Sequence, residues 1–448
     1  MKTTMKWLPK LLFVLLIATA LLVGCGNNEN NTPAANEEKP AETKAENKPA
    51  EPTPALEPPK PVTVEFWHAF GEGEEKVLLE EVIPKFNEQY SHITIKATRM
   101  PTENLDQQVI TAAAGGAVPD VMRMDNTWVP RMAKEGVLVP VDDFVDFNKV
   151  VADSFAGPMA TNYYNGKYYG VPLDTNTKIA IYSKELLAEA GATEAPATID
   201  ELVSLARKLK DNKKFGITIG GPDFWNMPPW FWTLGGTITD DKFTVATGHL
   251  NSDASVKALE TIVSWNDEGL LAPPILGGQP GTWEGLRGEE GKTASYMMIN
   301  DGPWFFSILG DGVKDTMIPA KMPNGPDGQS HSIIGGQDMV FFNGAKQPEA
   351  AWTFTQFLLS EEIQVLMAIK TGAIPTNKNA AQSSELSSVY YLDEYVAEME
   401  TAMARTPSAN ANQIGDVFGK AFEKALRKDA TPKEALDQAA IEIDALLK

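Results

Sequence analysis

The chain has 448 residues, a formal net charge of −21 at pH 7, 43% hydrophobic residues and ten tryptophans. This hydrophobic content is typical of a folded protein, and the length suffices for two sizeable cores. The negative charge argues against nucleic acid or an anionic lipid surface as a partner, and a single cysteine excludes an intrachain disulfide and a metal–thiolate cluster.

The N-terminus has the pattern of a secretory lipoprotein signal. Three lysines precede the apolar run Leu11–Val23, and Gly24 is the small residue that a signal peptidase needs before its cleavage point. The run has 13 residues, fewer than the roughly 20 needed to cross the hydrocarbon core of a membrane. We therefore predict a signal peptide over residues 1–24 and a lipid on Cys25, with the rest of the chain tethered outside the cytoplasmic membrane.

A polar segment follows the predicted lipidation site. Residues 26–61 are almost wholly Asn, Glu, Pro, Ala, Lys and Thr, and Leu56 is their only large apolar side chain. Such a composition cannot bury enough surface to fold. Residues 25–61 are therefore predicted to be the lipidated cysteine and a disordered spacer, with an r.m.s. reach of about 30 to 36 Å.

The folded part begins with strands and helices in alternation. The predicted strands are Val62–Trp67, Ile93–Ala97 and Asp120–Met124, and the helices between them cover Leu78–Tyr90 and Leu105–Ala114. This order predicts a parallel sheet with right-handed crossovers. Ligands of such sheets bind beyond the carboxyl ends of the strands. The candidate binding residues at these ends are Trp67, His68, Asp125 and Trp128.

A candidate crossing between two lobes comes next. An Asn-Gly turn between aromatic pairs predicts a β-hairpin over residues 163–169. Residues 171–176 then lead into a new predicted strand, Lys178–Tyr182, and place Asp174 and Asn176 as candidate binding residues at the crossing.

A second αβ region follows this crossing. Thr198 opens a helix with a capping box, Phe215–Ile219 is a predicted strand, and Ser252–Glu268 is a predicted helix.

Two aromatic motifs lie in this second region. Residues 225–232, Trp-Asn-Met-Pro-Pro-Trp-Phe-Trp, are the densest aromatic cluster, for which core packing and a position facing a cleft are both open; Trp230 is the candidate binding residue. Trp304 follows the predicted strand Ala294–Ile299 and is therefore expected at a carboxyl end, where it could face a ligand.

The chain is then expected to return to the first lobe. Gly335 and Gly336 precede a predicted strand, Asp338–Phe342, and the predicted helices Pro348–Leu359 and Glu361–Ile369 follow. The remainder is predicted to be mostly helical, and its last helix opens with a capping box at Thr431. Arg405 either supplies hydrogen-bond donors to a ligand or is a solvated arginine at a helix end.

Carboxylates and amides beside aromatic side chains suit a sugar ligand. The C–H faces of sugars stack on indole rings, and their hydroxyl groups exchange hydrogen bonds with Asp, Asn and Arg. The four histidines lie far apart without ligand spacing, so no metal or cofactor is expected. The 60 acidic residues leave a glycosidase open, because that chemistry needs only two carboxylates.

Five motifs together resemble the extracellular solute-binding proteins of the maltose-binding type, which serve ABC importers of carbohydrates. The motifs are Phe66–His68, Pro119–Asp125, Gly170–Asn176, Asn300–Trp304 and Ile334–Asp338. The resemblance implies an α/β fold of the class II periplasmic-binding-protein type, with two lobes joined by a hinge and a mainly parallel, helix-flanked sheet in each. Residues 62–172 and 335–377 would form the N-terminal lobe, and residues 176–334 and 378–448 the C-terminal lobe.

The resemblance also implies roles for individual residues. His68 and Asp125 would bind hydroxyl groups from the first lobe, Asp174 would do so beside the hinge, Trp304 would be the stacking platform, and the Gly335–Gly336 amides would lie against the ligand. The protein would be a monomeric, non-enzymatic receptor that passes a sugar to the permease of an ABC importer at a Gram-positive cell surface.

Two other function classes are weighed against this one. The same fold serves receptors for a polyamine, a phosphate ester or iron, and converging carboxylates with an aromatic box would suit the polyamine. A surface glycoside hydrolase would need a carboxylate pair at about 5 to 9.5 Å.

Overall fold

The structure is a computed structural model and describes residues 60–288 and 293–448. The predicted signal peptide, Cys25 and nearly all of the predicted spacer lie outside the described residues. No helix in the described ranges is long and apolar enough to span a lipid bilayer.

The strands of the described residues are β1 (Val62–His68), β2 (Ile93–Arg99), β3 (Val121–Asp125), β4 (Tyr163–Tyr164), β5 (Lys167–Tyr168), β6 (Gly170–Asn176), β7 (Ile179–Ser183), β8 (Met298–Asp301), β9 (Met317–Ala320), β10 (Ile333–Phe341), β11 (Ile374–Pro375) and β12 (Met403–Ala404).

The α-helices are α1 (Glu72–Val77), α2 (Ile83–Gln89), α3 (Leu105–Ala114), α4 (Val129–Lys134), α5 (Phe147–Asp153), α6 (Ala156–Ala160), α7 (Lys184–Glu189), α8 (Ile199–Leu209), α9 (Pro228–Thr233), α10 (Asp253–Glu268), α11 (Thr282–Arg287), α12 (Trp304–Leu309), α13 (Pro348–Leu358), α14 (Glu361–Thr371), α15 (Lys378–Ala381), α16 (Leu392–Met399), α17 (Ala411–Arg427) and α18 (Pro432–Leu446). A π-helical turn, Leu78–Val82, joins α1 to α2.

The first lobe is built on a large mixed sheet with the strand order β11-β6-β10-β3-β1-β2, to which β12 adds by pairing with β10. The β1 strand pairs in parallel with β2 and β3, as the alternating sequence pattern predicts. The β10 strand lies antiparallel between β3 and β6. Side chains alternate across this sheet, so that Phe66 and Met339 enter one core and Met122 and Val340 enter the other.

The second lobe contains a small sheet with the strand order β8-β7-β9. All of its pairings are antiparallel, which differs from the expectation of mainly parallel strands in each lobe. The central strand β7 is buried on both faces, with Ala180 and Tyr182 in one core and Ile179 and Ile181 in the other. Helices therefore cover both sides of this short sheet.

Two crossings between the sheets run side by side. Thr177 and Lys178 connect β6 of the large sheet to β7 of the small one, and the segment from β9 to β10 returns. The Ser332 hydroxyl joins them, because it donates to the Lys178 carbonyl at 2.7 Å and accepts from the Lys178 N–H at 3.3 Å. The exact lobe boundaries given above stay predictions.

Local sequence signals correspond to the structure in several places. The aromatic hairpin forms as β4 and β5, and Thr431 caps α18 in a complete capping box with Glu434. The predicted strand over residues 215–219 is wrong, since that segment makes only isolated bridges. Gly335 and Gly336 lie inside β10 and not before it, because they pair with Asn176 and Thr175.

Candidate functional site

A cleft of about 1010 Å³ lies between the lobes. Its first wall consists of α1, Arg123 of β3, the end of β6 and Gln337 of β10, and its second wall is α12. The end of α14 closes one side. The polar and aromatic residues that line it are Glu72, Glu74, Glu75, Lys76, Glu80, Arg123, Asp174, Thr175, Asn176, Trp304, Ser307, Gln337, Lys370 and Thr371.

A buried ion pair lies at the floor of this cleft. The Nε and Nη2 atoms of Arg123 both contact Asp174 Oδ2 at 2.9 Å, and only 6% and 8% of the two residues are exposed. Arg123 also lies 4.1 Å from the centre of the Phe70 ring and 3.8 Å from a Glu74 oxygen. These contacts fix the guanidinium, because it stacks on an aromatic face and chelates a carboxylate oxygen at once.

Burial raises the pKa of Asp174 to about 6, although the Arg123 guanidinium acts in the opposite direction. Asp174 and Gln337 both line this cavity. The cleft floor therefore offers acceptors and an amide within reach of a polar ligand.

Two indole rings form the aromatic part of the site. The ring centres of Trp225 and Trp304 are 6.1 Å apart with an angle of 33° between their planes, and both rings are half-buried. Trp304 borders the large cleft, and Trp225 borders a second cavity of about 260 Å³. The tip of Trp225 packs against Gly335, where a Cβ atom would lie 2.8 Å from Trp225 Cη2. Only glycine leaves room for the ring there.

Arg405 connects the aromatic pair to the first lobe. Its Nη2 atom donates to Asn126 Oδ1 at 2.9 Å and lies 3.4 Å from Asp125 Oδ1. Its guanidinium carbon is 5.3 Å from the centre of the Trp225 ring. Arg405 is therefore not a solvated helix-end residue, and it bridges the end of β3 and Trp225 of the second lobe.

Four sequence candidates lie away from the cavities. His68 is fully buried between Phe66 and Phe70, and burial lowers its pKa to about 4, so its neutral ring cannot reach a ligand in this structure. Trp230 is fully buried against Trp265, which corrects its proposed position facing the cleft. The remaining two, Trp67 and Trp128, pack against the core of the first lobe.

The other candidates surround the two cavities. Asp174, Asn176 and Trp304 line the large cleft, and Asp125 contacts Arg405. Gly336 is paired with Thr175 in the sheet. Gly335 and Gly336 are buried in the ladder, so they shape the wall next to Trp225. Direct contact of any of these residues with a ligand stays a prediction.

Sequence reasoning missed Arg123, Trp225, Lys178 and the acids of α1. A sequence signal was present for Arg123, since an arginine between the two buried methionines of β3 needs a partner. Trp225 lay inside the aromatic cluster that had been identified. No local signal pairs Lys178 with Asn226, because these residues are 48 positions apart.

Two lobes with a polar and aromatic cleft between them define a two-lobed ligand-binding protein. The model of the bacterial extracellular solute-binding protein family matches residues 81–390. The chain belongs to this family, and its fold and the recognised motifs agree with that membership.

Named relatives and solved structures are similar over most of the chain. The galactooligosaccharide-binding protein of Bacillus subtilis (strain 168) is 25% identical over 381 residues, which cover 81% of this chain and 85% of that protein. The maltotriose-binding protein of Pyrococcus abyssi (strain GE5 / Orsay) is 25% identical over 413 residues, covering 86% and 80%. The GacH receptor of Streptomyces glaucescens GLA.O has the same fold, with a TM-score of 0.75 at 24% identity over 86% of this chain and 98% of that one.

Proposed function

We propose that this protein captures an oligosaccharide in the cleft between its lobes and delivers it to the permease of an ABC importer. The observation that carries the proposal is the Trp225–Trp304 pair beside a cleft lined by carboxylates and amides. Indole faces stack on the C–H faces of sugar rings, while the polar groups exchange hydrogen bonds with hydroxyls.

The size and charge of the cleft support this ligand class. Its volume of about 1010 Å³ is at the upper end of the roughly 300 to 1,000 Å³ of small-molecule sites, which favours more than one sugar unit. Five carboxylates and three cations line it. A phosphate ester would meet an excess of negative charge there. The relatives named for galactooligosaccharide and maltotriose point to the same class.

A polyamine is the second candidate, because acids are concentrated on one wall. Glu72, Glu74 and Glu75 lie in the first turn of α1 and all line the cleft. A cationic amine would gain from these carboxylates, whereas a neutral sugar uses them as acceptors.

The attachment of the protein is part of the proposal. The sequence over residues 1–25 supports cleavage before Cys25 and a lipid on that residue, and residues 26–61 would then tether the receptor to the outer face of a Gram-positive cytoplasmic membrane. The receptor would act as a monomer. A sugar that contacts both walls would stabilise the closed form through its higher affinity for that form.

Isothermal titration of the purified protein with glucose, maltotriose, galactobiose, glucose 6-phosphate and spermidine tests the function. We expect binding of a neutral di- or trisaccharide, and a loss of roughly 30-fold or more in Trp304→Ala, which is the scale for truncating a stacked aromatic at a binding site. Tyr163→Ala is the matched control, because that exposed aromatic lies on the β4–β5 hairpin and lines neither of the two cavities. Small-angle scattering of the same complex should show a smaller radius of gyration.

Four results would contradict the proposal. Tight binding of spermidine alone would identify a polyamine receptor, and tight binding of glucose 6-phosphate alone would identify a phosphate-ester receptor. Hydrolysis of a nitrophenyl glycoside would identify an enzyme. Equal sugar affinity in Trp304→Ala and the wild type would remove the aromatic pair from the site.

A further inference from the structure

Lys178 is a buried lysine at the crossing between the two sheets. Only 2% of the residue is exposed, and no carboxylate of residues 60–288 or 293–448 forms an ion pair with it within 4.0 Å. Its Nζ atom donates to Asn226 Oδ1 at 2.5 Å and lies 5.3 Å from the centre of the Trp225 ring. Burying an ammonium group is costly, so these contacts replace much of its lost hydration.

The contacts of Lys178 continue through a short turn. The Asp223 carboxylate accepts hydrogen bonds from the backbone N–H groups of Trp225 at 2.9 Å and Asn226 at 3.1 Å. The Asn226 side-chain nitrogen also donates to Asp223 Oδ2 at 2.7 Å. Asn226 therefore uses its oxygen for Lys178 and its nitrogen for Asp223, which fixes residues 223–226, hereafter the aromatic turn.

The main chain of Lys178 is held as firmly as its side chain. Both of its backbone polar groups bond to the Ser332 hydroxyl in the returning crossing. Its side chain thus starts from a point fixed by two segments and ends against Trp225 and Asn226.

We propose that Lys178 is a positioning residue of the binding cleft, whose buried ammonium holds the aromatic turn so that the Trp225 ring stays against Trp304 and beside Arg405. The importance of this ring pair for ligand binding rests on the proposed function. The positioning itself is a property of the ligand-free protein and is measured separately.

The positive charge of Lys178 suits both of its side-chain contacts. A charged donor strengthens the bond to Asn226, and a cation near an indole face is attracted by the ring quadrupole. The charged groups that face this region are Asp223, Asp301 and, beyond the Trp225 ring, Arg405. Burial lowers the pKa of Lys178 to about 8, while Asp301 and Asp223 act to raise it. The charge is therefore lost within an accessible pH range.

Circular dichroism of the ligand-free full-length protein measures the positioning. Subtracting the spectrum of Trp304→Phe from that of the wild type gives the exciton signal of the Trp225–Trp304 pair. We expect this signal to be absent in Lys178→Met, which keeps the length of the side chain without its charge, and to be present in Lys178→Arg. Lys184→Met, at an exposed lysine on α7, is the matched control.

Maltotriose titration should show binding weaker by about tenfold or more in Lys178→Met, which corresponds to about 1.4 kcal/mol, with recovery in Lys178→Arg.

A pH titration tests the charge of Lys178 directly. In the wild type the exciton signal should fall with a midpoint near the pKa of about 8. In Lys178→Arg it should persist, because arginine stays charged. An unchanged wild-type signal from about pH 6 to about pH 10, or an intact signal in folded Lys178→Met, would overturn the positioning role. Absence of maltotriose binding in the wild type would count against the proposed function. The exciton signal would still decide whether Lys178 positions the aromatic turn.

Discussion

Replacing Asp338 with asparagine removes a buried ionisable group from the middle of the large sheet. Asp338 lies on β10 between β3 and β6, is 1% exposed, and accepts a hydrogen bond from Thr161 Oγ1 at 3.2 Å. Burial raises its pKa to about 8, with Asp125 and Asp174 adding to the increase and the bonds from Asn162 and Thr161 opposing it. The folded protein therefore keeps this carboxyl group largely protonated at neutral pH.

The sign of the effect follows from the two pKa values. The unfolded chain releases the Asp338 proton near pH 3.9, whereas the folded protein holds it to about pH 8. The stabilising contribution is complete below the unfolded pKa and is lost as pH rises through the folded pKa. Between these values the free energy of unfolding falls by about 1.4 kcal/mol per pH unit. From about pH 5 to about pH 8 the loss amounts to about 4 kcal/mol.

Asp338→Asn has nearly the same volume and cannot ionise, so it should lack this loss. Urea unfolding followed by circular dichroism between about pH 5 and about pH 8 measures the difference. We expect the stability of Asp338→Asn relative to wild type to increase by about 4 kcal/mol across this range. Asp143→Asn, at an exposed carboxylate, is the control and should follow the wild type. A constant difference between Asp338→Asn and wild type at all pH values would show that Asp338 is ionised in the folded protein and refute the reasoning.

Two further predictions concern the cleft floor and the N-terminus. Arg123→Leu should destabilise the protein by about 3 to 5 kcal/mol in urea unfolding, because it leaves the buried Asp174 carboxylate without its partner, and adding Asp174→Leu should restore much of that loss. Arg207→Leu, which breaks an exposed pair with Glu268, should cost about 1 kcal/mol or less, and an equal cost at both sites would contradict the buried-pair account. In cell fractionation, Cys25→Ser should move the protein from the membrane pellet to the medium, and retention in the pellet would exclude the lipid as its attachment.

Local chemistry made part of the fold predictable. The Asn-Gly turn of the 163–169 hairpin, the capping box at Thr431 and the apolar period of α10 each depend on residues a few positions apart. The strand order of the large sheet was predictable only where consecutive strands pair, as β1 does with β2. The insertion of β10 between β3 and β6 joins segments far apart in sequence, and no local pattern encodes it.

The sequence predicted the residue types of the binding cleft better than the individual residues that line it. The aromatic cluster was recognised, but its residue beside a cavity is Trp225 and not Trp230, because α9 begins at Pro228 and turns Trp230 into the core. His68 was expected to face a ligand at the carboxyl end of a strand predicted to stop at Trp67, yet β1 includes His68, and alternation along the strand points its ring into the buried face with Phe66. A shift of one residue along a strand turns a side chain from one face of the sheet to the other.

The hydroxyl of Ser332 links two of the connections between the lobes, and this link would restrict how the lobes move relative to each other. Two connecting segments that do not contact each other permit the lobes both to slide and to twist. Segments that are hydrogen-bonded to each other, as these are at Lys178 and Ser332, favour rotation about a single axis. Such a rotation has one degree of freedom, and a residue moves further the greater its distance from the axis. Leu79 and Ile308, exposed on opposite walls of the cleft, would then approach each other in step with the cleft floor. A ligand that contacts both walls would therefore favour the closed form, whereas a ligand that contacts a single wall would leave the equilibrium between open and closed forms unchanged.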